Sequence, residues 1–357
     1  MVVENVNVYD LVPTQIVDMI EKLNNALEII KYRKKTISKV ALFEKDEICC
    51  PYCSSISIVK NGHTKAGIQT YKCKECSKRF TDLTNTVFSG THLNYEQIEI
   101  FIQCFNDKVS LRKTAKRMGV NKNTVHLLRL KVLNALKENR QNIQLSGEIE
   151  ADEIYRSINL KGTKPKNMPR ISKPRTSNGT STRGVSRHKV CIVSAIDEND
   201  NMFFEIIGTG PITTEMVKNG LTPKIKNVKK LITDCKSSYE SEANINNWNL
   251  VQIKSSGHTD DRGNSLANLN SIHSGLSTFL APFRGVSTKH LQGYLDWYVF
   301  DKYLNYTFEE RNQNKMILKN TILLSTNISA SNMYNNHSCI DFKTVYSDYE
   351  YIPSRII

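Results

Sequence analysis

The octapeptide Glu148-Ile149-Glu150-Ala151-Asp152-Glu153-Ile154-Tyr155 decides the fold. Apolar and acidic residues alternate along it, the two-residue period of a strand with one face turned to a core. An acid inside such a strand is buried at a cost unless it is paired or holds metal. Asp152 is therefore the first candidate for chemistry. Glu150 and Glu153 compete with it; in a regular strand Glu150 shares the face of Asp152 and Glu153 points the other way.

Outward from this strand, residues 188–196 and 202–207 read as a second and a third strand. A helix follows from about Thr213, then a strand over 229–233 that ends at Asp234. A helix over 239–248, a short strand over 250–254 and a helix over 266–283 complete the run. Three strands followed by alternating helices and strands, with one Asp in the first strand and another at the tip of the fourth, form the layout of a ribonuclease-H-like domain. In that layout the first strand lies beside the fourth, so Asp152 and Asp234 come within reach of shared hard cations. Two such carboxylates repel each other unless a divalent ion lies between them, and Mg²⁺ accepts one or two carboxylates plus water and phosphate oxygens. Two ions about 4 Å apart activate a water or a 3′ hydroxyl and stabilise the leaving oxygen of a phosphodiester. The plainer role for Asp234 is to cap the helix that follows it.

Upstream, the segment SLRKTAKRMGVNKNTVHLLR, residues 110–129, has the grammar of helix, turn and helix. Ser110 is placed to cap one helix, Gly119 to break it with a positive φ, and Asn121 to cap the next. Residues 108–140 hold ten basic side chains against one acid, Glu138. Such a face sits on phosphates, with Arg112, Lys113, Lys116, Arg117 and Arg129 as backbone contacts and Lys122, Asn123, Thr124 and His126 near base edges. A passive helical bundle is the alternative, and the basic bias favours DNA.

Further upstream stand two CxxC knuckles, Cys50-Pro-Tyr-Cys53 and Cys73-Lys-Glu-Cys76, separated by nineteen residues. Four thiolates in that spacing converge on one tetrahedral Zn²⁺. Cys49 adjoins Cys50, and the two-residue spacing to Cys53 favours Cys50 as the ligand. Short strands over 56–60 and 69–72 around a turn at Asn61-Gly62 make a ribbon too small to hold itself together without metal. Before it, Ile16, Met19, Ile20, Leu23, Ala26, Leu27 and Ile30 form one stripe of an amphipathic helix.

The 357 residues carry a formal charge of +14, which points to a polyanionic partner. Nine cysteines, an odd number, suit a reducing compartment. No run approaches the apolar length of a membrane span. The expected setting is intracellular and soluble. Residues 156–189 add ten basic side chains and no acid, the composition of a DNA-clamping arm or of a solvated charge run.

The stretches CPYC (50–53), YKCKECSKRFTDLTNTVFSGTHL (71–93), SLRKTAKRMGVNKNTV (110–125), EIEADEIY (148–155), LITDCKSSY (231–239), NLNSIHSGLSTFL (268–280) and FRGVSTKHLQGYLDWYVF (283–300) resemble, in this order, bacterial insertion-sequence transposases of the ISXO-type branch. The resemblance implies a zinc ribbon and helix-turn-helix joined to a catalytic domain of the DDE superfamily, acting on double-stranded DNA at element ends and target as a homo-oligomer. It places the first two catalytic aspartates on Asp152 and Asp234. The third position falls on Asn270, completing a Mg²⁺ or Mn²⁺ site, with His273 one turn further on the same helix face. Asp260 and Asp261 are alternative third carboxylates. The chain departs from the pattern at Ser277 and Thr278, where many relatives carry a basic residue, and at Pro282; Arg284 is the nearest replacement.

The expected architecture is multidomain α+β. It comprises an N-terminal helical segment (1–46), a zinc ribbon (47–82), a helix-turn-helix domain (92–140), a ribonuclease-H-like α/β domain with a mixed sheet (147–305) carrying the basic insertion (156–189), and a C-terminal tail (306–357). The function this implies is an insertion-sequence transposase that binds terminal inverted repeats, then cleaves and transfers strands. A catalytically inactive DNA-binding descendant is the second reading, and a ribonuclease or junction nuclease the third.

Overall fold

The computed structural model describes residues 48–160, 176–177, 180–181, 184–186, 189–254, 259–307 and 340. The N-terminal helical segment, most of the basic insertion and nearly all of the C-terminal tail lie outside these residues. The chain divides into two compact units, Met1–Thr84 with Gly90–Glu99, and Asn85–Ser89 with Ile100–Ile357.

In the first unit, β1 (Ile58–His63), β2 (Gln69–Cys73) and β3 (Arg79–Thr81) form an antiparallel sheet in that order. Three residues are too few to show an alternation, so β3 is not legible in advance. The reversal is not at Asn61-Gly62. It lies over 64–68, where the Thr64 N–H donates to the Ile68 carbonyl at 2.8 Å and Gly67 takes φ +77°. Asn61 and Gly62 occupy an irregularity between Lys60 and His63, where the Gln69 side chain donates to the Gly62 carbonyl at 2.8 Å and the Thr70 hydroxyl to the Asn61 carbonyl at 2.5 Å.

Helix α1 (Tyr95–Asn106) leads to α2 (Leu111–Met118) and α3 (Lys122–Asn142). The Ser110 hydroxyl accepts from the Lys113 N–H, Gly119 takes φ +67°, and the Asn121 side chain accepts from the Asn123 N–H at 2.8 Å. These are the cap, break and cap that the residue types predict.

The large sheet is built from β4 (Leu145–Ser157), β7 (Lys189–Asp197), β8 (Met202–Thr209), β9 (Ile225–Asp234) and β10 (Leu250–Ile253), in the order β10-β9-β4-β7-β8. The two-residue strands β5 (Thr176–Ser177) and β6 (Thr180–Ser181) pair with each other in the insertion. β4 pairs antiparallel with β7 and parallel with β9, so the sheet is mixed and its first strand lies beside its fourth. Six of the nine residues of β7 are apolar, and the strand is buried throughout except at its first residue.

One face carries Leu145, Ile149, Ala151, Val193, Ala195 and Phe203 against α4 (Thr214–Gly220) and α5 (Ser237–Asn246). The helices α6 (Ala267–Leu280) and α7 (Thr288–Thr307) meet the sheet through β4, β7 and β8. The Gln292 side chain of α7 accepts from the Ile206 N–H and donates to the Phe204 carbonyl, both at 2.9 Å, which satisfies part of the β8 edge. α7 also packs on α3. Trp297 stacks on Phe105 with ring centroids 3.9 Å apart, and Arg140 pairs with Asp296 at 2.9 Å and with Glu205. A Cβ at Gly293 would stand 3.0 Å from that of Leu133, a tight contact at the place where the two helices meet. The helix-turn-helix and the sheet thus share one compact unit.

Candidate functional site

The four cysteines of the knuckles converge. Cys50 Sγ lies 3.6 Å from Cys76 Sγ, Cys53 Sγ lies 3.6 Å from Cys73 Sγ, and all four sulfurs lie within 4.8 Å of one another. Zn–S bonds of about 2.3 Å in a tetrahedron place sulfurs about 3.8 Å apart, so the donor set fits zinc. The two knuckles have one geometry. In each, the first cysteine's N–H donates to the carbonyl five residues on, Cys50 to Ser55 at 2.8 Å and Cys73 to Lys78 at 3.0 Å. In each, the residue after the second cysteine, Ser54 or Ser77, has φ +58°. Cys49 is exposed and stands outside the group.

In the second unit, oxygens of Asp152, Glu153 and Asp234 lie within 4.8 Å of one another. Asp152 projects from β4 and Asp234 ends β9, its neighbour. Asp234 does not cap the next helix; the N-cap position of α5 is Lys236, and no side chain caps it. Burial pushes the Asp152 carboxyl up to about 6, with Glu153 adding to the shift and Lys236 opposing it. One oxygen of Asp234 is buried without a hydrogen-bond partner, as befits a carboxylate whose partner is a cation. Glu153 turns inward, as alternation predicts, yet its carboxylate still joins the group. Its two oxygens accept from the hydroxyls of Tyr155 and Tyr239, both at 3.1 Å, and it pairs with Lys236.

Glu150, on the face of Asp152, has another task. It accepts from the Leu269 N–H at 3.0 Å and the Asn268 side chain at 2.8 Å, capping the start of α6. Asn270 is exposed on the first turn of α6, and His273 is half-buried one turn on. His273 Nε2 lies 2.6 Å from Ser194 Oγ, and that hydroxyl donates to the Asp152 carbonyl at 3.0 Å. With its one proton so placed, Ser194 accepts from His273, which leaves Nδ1 unprotonated. Burial, then Arg156, depresses the imidazole to about 4, so it is neutral at pH 7. Arg156 Nη2 donates to Ser277 Oγ at 2.8 Å, bringing a guanidinium from β4 to the helix position that lacks a basic residue. Arg284 caps the turn Ala281–Phe283 in the left-handed conformation. Asp260 serves its own loop, accepting from Arg262 N–H, Asn264 N–H and the Asn264 side chain, and neither it nor Asp261 joins the acidic group.

On the helix-turn-helix, Arg112, Lys113, Lys116, Arg117, Lys122 and Asn123 are exposed, and Thr124 and His126 are half-buried. Arg129 requires a correction. Only 3% exposed, it donates to the Val109 carbonyl at 2.7 Å and lies over the rings of Trp297 and Phe283 at 5.5 and 5.6 Å. Its place is in the core, where it is unavailable to DNA. Arg129→Ala is therefore expected to destabilise the second unit by about 2–4 kcal/mol through lost packing and cation–π contact, measured by urea unfolding.

Among the described residues no helix is long and apolar enough to cross a membrane. No family model matches the chain. Over 141 residues, 39% of this chain, it is 28% identical to an uncharacterized protein in transposable element ISH50 of Halobacterium salinarum, and the match spans 45% of that protein. Solved structures of lower identity also align. The Mos1 strand transfer complex is 14% identical, with 72% of this chain and 79% of that one covered, at a TM-score of 0.26. The Mos1 transposase paired-end complex with left transposon end is 12% identical, with 72% and 80% covered, at a TM-score of 0.23. Overlaps that low carry no argument about chemistry. The sequence match ties less than half of the relative's length to this chain.

Proposed function

We propose that the chain is a DNA transposase of an insertion sequence, with a ribonuclease-H-like catalytic domain of the DDE superfamily and the ISXO-type plan of ribbon and helix-turn-helix. It binds terminal inverted repeats as a homo-oligomer and catalyses metal-dependent strand cleavage and strand transfer. The observation that carries this reading is the meeting of Asp152 and Asp234, eighty-two positions apart, within 4.8 Å just beyond the point where the parallel pairing of β4 with β9 ends. The likeness to a protein of a transposable element supports it.

Asp152 and Asp234 would hold magnesium or manganese, with Asn270 as the third position and Zn²⁺ in the ribbon. When bound, the catalytic metal activates a water or a 3′ hydroxyl and stabilises the leaving oxygen. Ser194 links His273 to the Asp152 backbone and keeps the imidazole oriented. Arg156 shares the face of Asp152 on β4 and offers a guanidinium to a phosphate oxygen of the bound strand.

The test is nicking of a duplex that carries the element's ends, in magnesium, beside an RNA–DNA hybrid and branched DNA. Nicking confined to the ends is expected. Equal cutting of hybrids or branches would point to the nuclease reading, and end binding without nicking to the inactive descendant. In the same assay Lys116→Ala is expected to weaken binding on all sequences and to reduce the slope of log affinity against log salt by about 1.

A further inference from the structure

Lys236 stands two residues beyond Asp234, in the turn between β9 and α5. Its ammonium faces all three carboxylates of the acidic group, with Asp152 Oδ1 at 3.8 Å and Glu153 and Asp234 in closer ion pairs. Three carboxylates this near one another need a cation among them. Here the cation is a side chain.

The backbone of Lys236 is held independently of that ammonium. Its N–H donates to the Asp234 carbonyl at 2.9 Å, and its carbonyl accepts from Tyr239 and Glu240 at the start of α5. The four-carbon stem is flexible and 37% exposed, so the charge can leave without disturbing the strand end or the helix. Glu153 keeps its two tyrosine donors whether or not the ammonium is present. Asp152 and Asp234 are the acids that its departure would free.

A divalent ion with bonds of about 2.0–2.1 Å to Asp152 and Asp234 needs the oxygens that the ammonium now faces, and the two cations repel at that separation. We propose that Lys236 is a built-in occupant of the cation position, which neutralises the acidic group before metal arrives and which the incoming divalent ion must displace. This rests on the metal-binding reading of Asp152 and Asp234. Because the side chain competes for the site, the apparent metal affinity is reduced by the fraction of molecules in which it is in place.

The experiment is a titration of the full, zinc-loaded chain with Mn²⁺ alone, following free Mn²⁺ by electron paramagnetic resonance. Lys236→Met is expected to bind Mn²⁺ about tenfold more tightly than the natural chain, at a site that Asp234→Asn abolishes. Its metal-free form should melt at a lower temperature and recover on adding Mn²⁺, whereas Lys236→Arg, which keeps the charge, should gain no affinity. An Asp234-dependent site of unchanged or weaker affinity in Lys236→Met overturns this inference alone. Absence of any Asp234-dependent site in both proteins overturns the metal reading, and this inference with it.

Discussion

Alanine at Asp152 or at Asp234 is expected to lower the rate of magnesium-dependent nicking by about 10³-fold or more, with binding of the same duplex by the zinc-loaded chain, without added magnesium, changed only a few-fold. Three decades correspond to about 4 kcal/mol of transition-state stabilisation, the scale of losing a Lewis acid at a phosphodiester. The side chains proposed to read DNA sit on α2 and α3, away from these acids in the chain, so binding and chemistry should separate. The pH profile follows from the same geometry. Asp152 must be ionised to hold a cation, and burial pushes its carboxyl up to about 6. At sub-saturating magnesium, where the proton and the metal compete for Asp152, single-turnover nicking should therefore rise with pH through about 6 and level off above it, about tenfold per unit on the acid limb for one proton. Stability without metal runs the other way. The folded carboxyl keeps its proton above the unfolded value of 3.8, so the metal-free fold loses stability as pH rises from about 4 to about 6. A rate independent of pH between 5 and 7, or nicking undiminished in either variant, would sink the assignment.

The two aspartates were legible because alternation alone gives a side chain's face and the strand plan gives its neighbour. Lys236 was hidden for the opposite reason: a turn residue has no period, and nothing in KSSY says that an ammonium folds back onto the preceding strand. Alternation gives the face of Glu153 but not its place among the metal-binding candidates. The pairing of β4 with β9 ends at Glu150 and Ile232, and beyond that point the acids of both faces meet around one lysine. Arg129 shows a signal that was present and outweighed. Val125, Arg129, Val132 and Leu136 recur at helical spacing, so the arginine falls on the buried stripe of α3, while a count of charges along the segment assigns every basic residue to DNA. The turn residues Asn61 and Gly62 misled because a positive φ serves a bulge as well as a hairpin, and residue type does not distinguish them.

Replacing Cys73 with serine, or stripping zinc with a strong chelator, is expected to unfold the ribbon while the second unit keeps its structure. The apolar cluster around the knuckles consists of Cys50, Tyr71, Cys73 and Phe80, with Ile58 and Cys76 packed against it. Two of its four buried members, Cys50 and Cys73, belong to the group of four sulfurs that fits zinc. Tyr71 and Phe80 stack across β2 and β3 at 5.5 Å, and one aromatic pair adds only about 0.5–1.5 kcal/mol beyond its burial. Structural zinc contributes about 10–16 kcal/mol at neutral pH, more than a three-stranded sheet of this size can supply by burial. Without the ion, four sulfurs within 4.8 Å lose the bond that holds both knuckles to one point, and the positive φ of Ser54 and Ser77 is left without compensation. Amide exchange read by segment would locate the loss: β1, β2 and β3 should exchange within seconds while β4, β7 and β9 remain protected. Protection of the ribbon strands that survives chelation would mean that the sheet stands on its own and that the cysteines hold no structural metal.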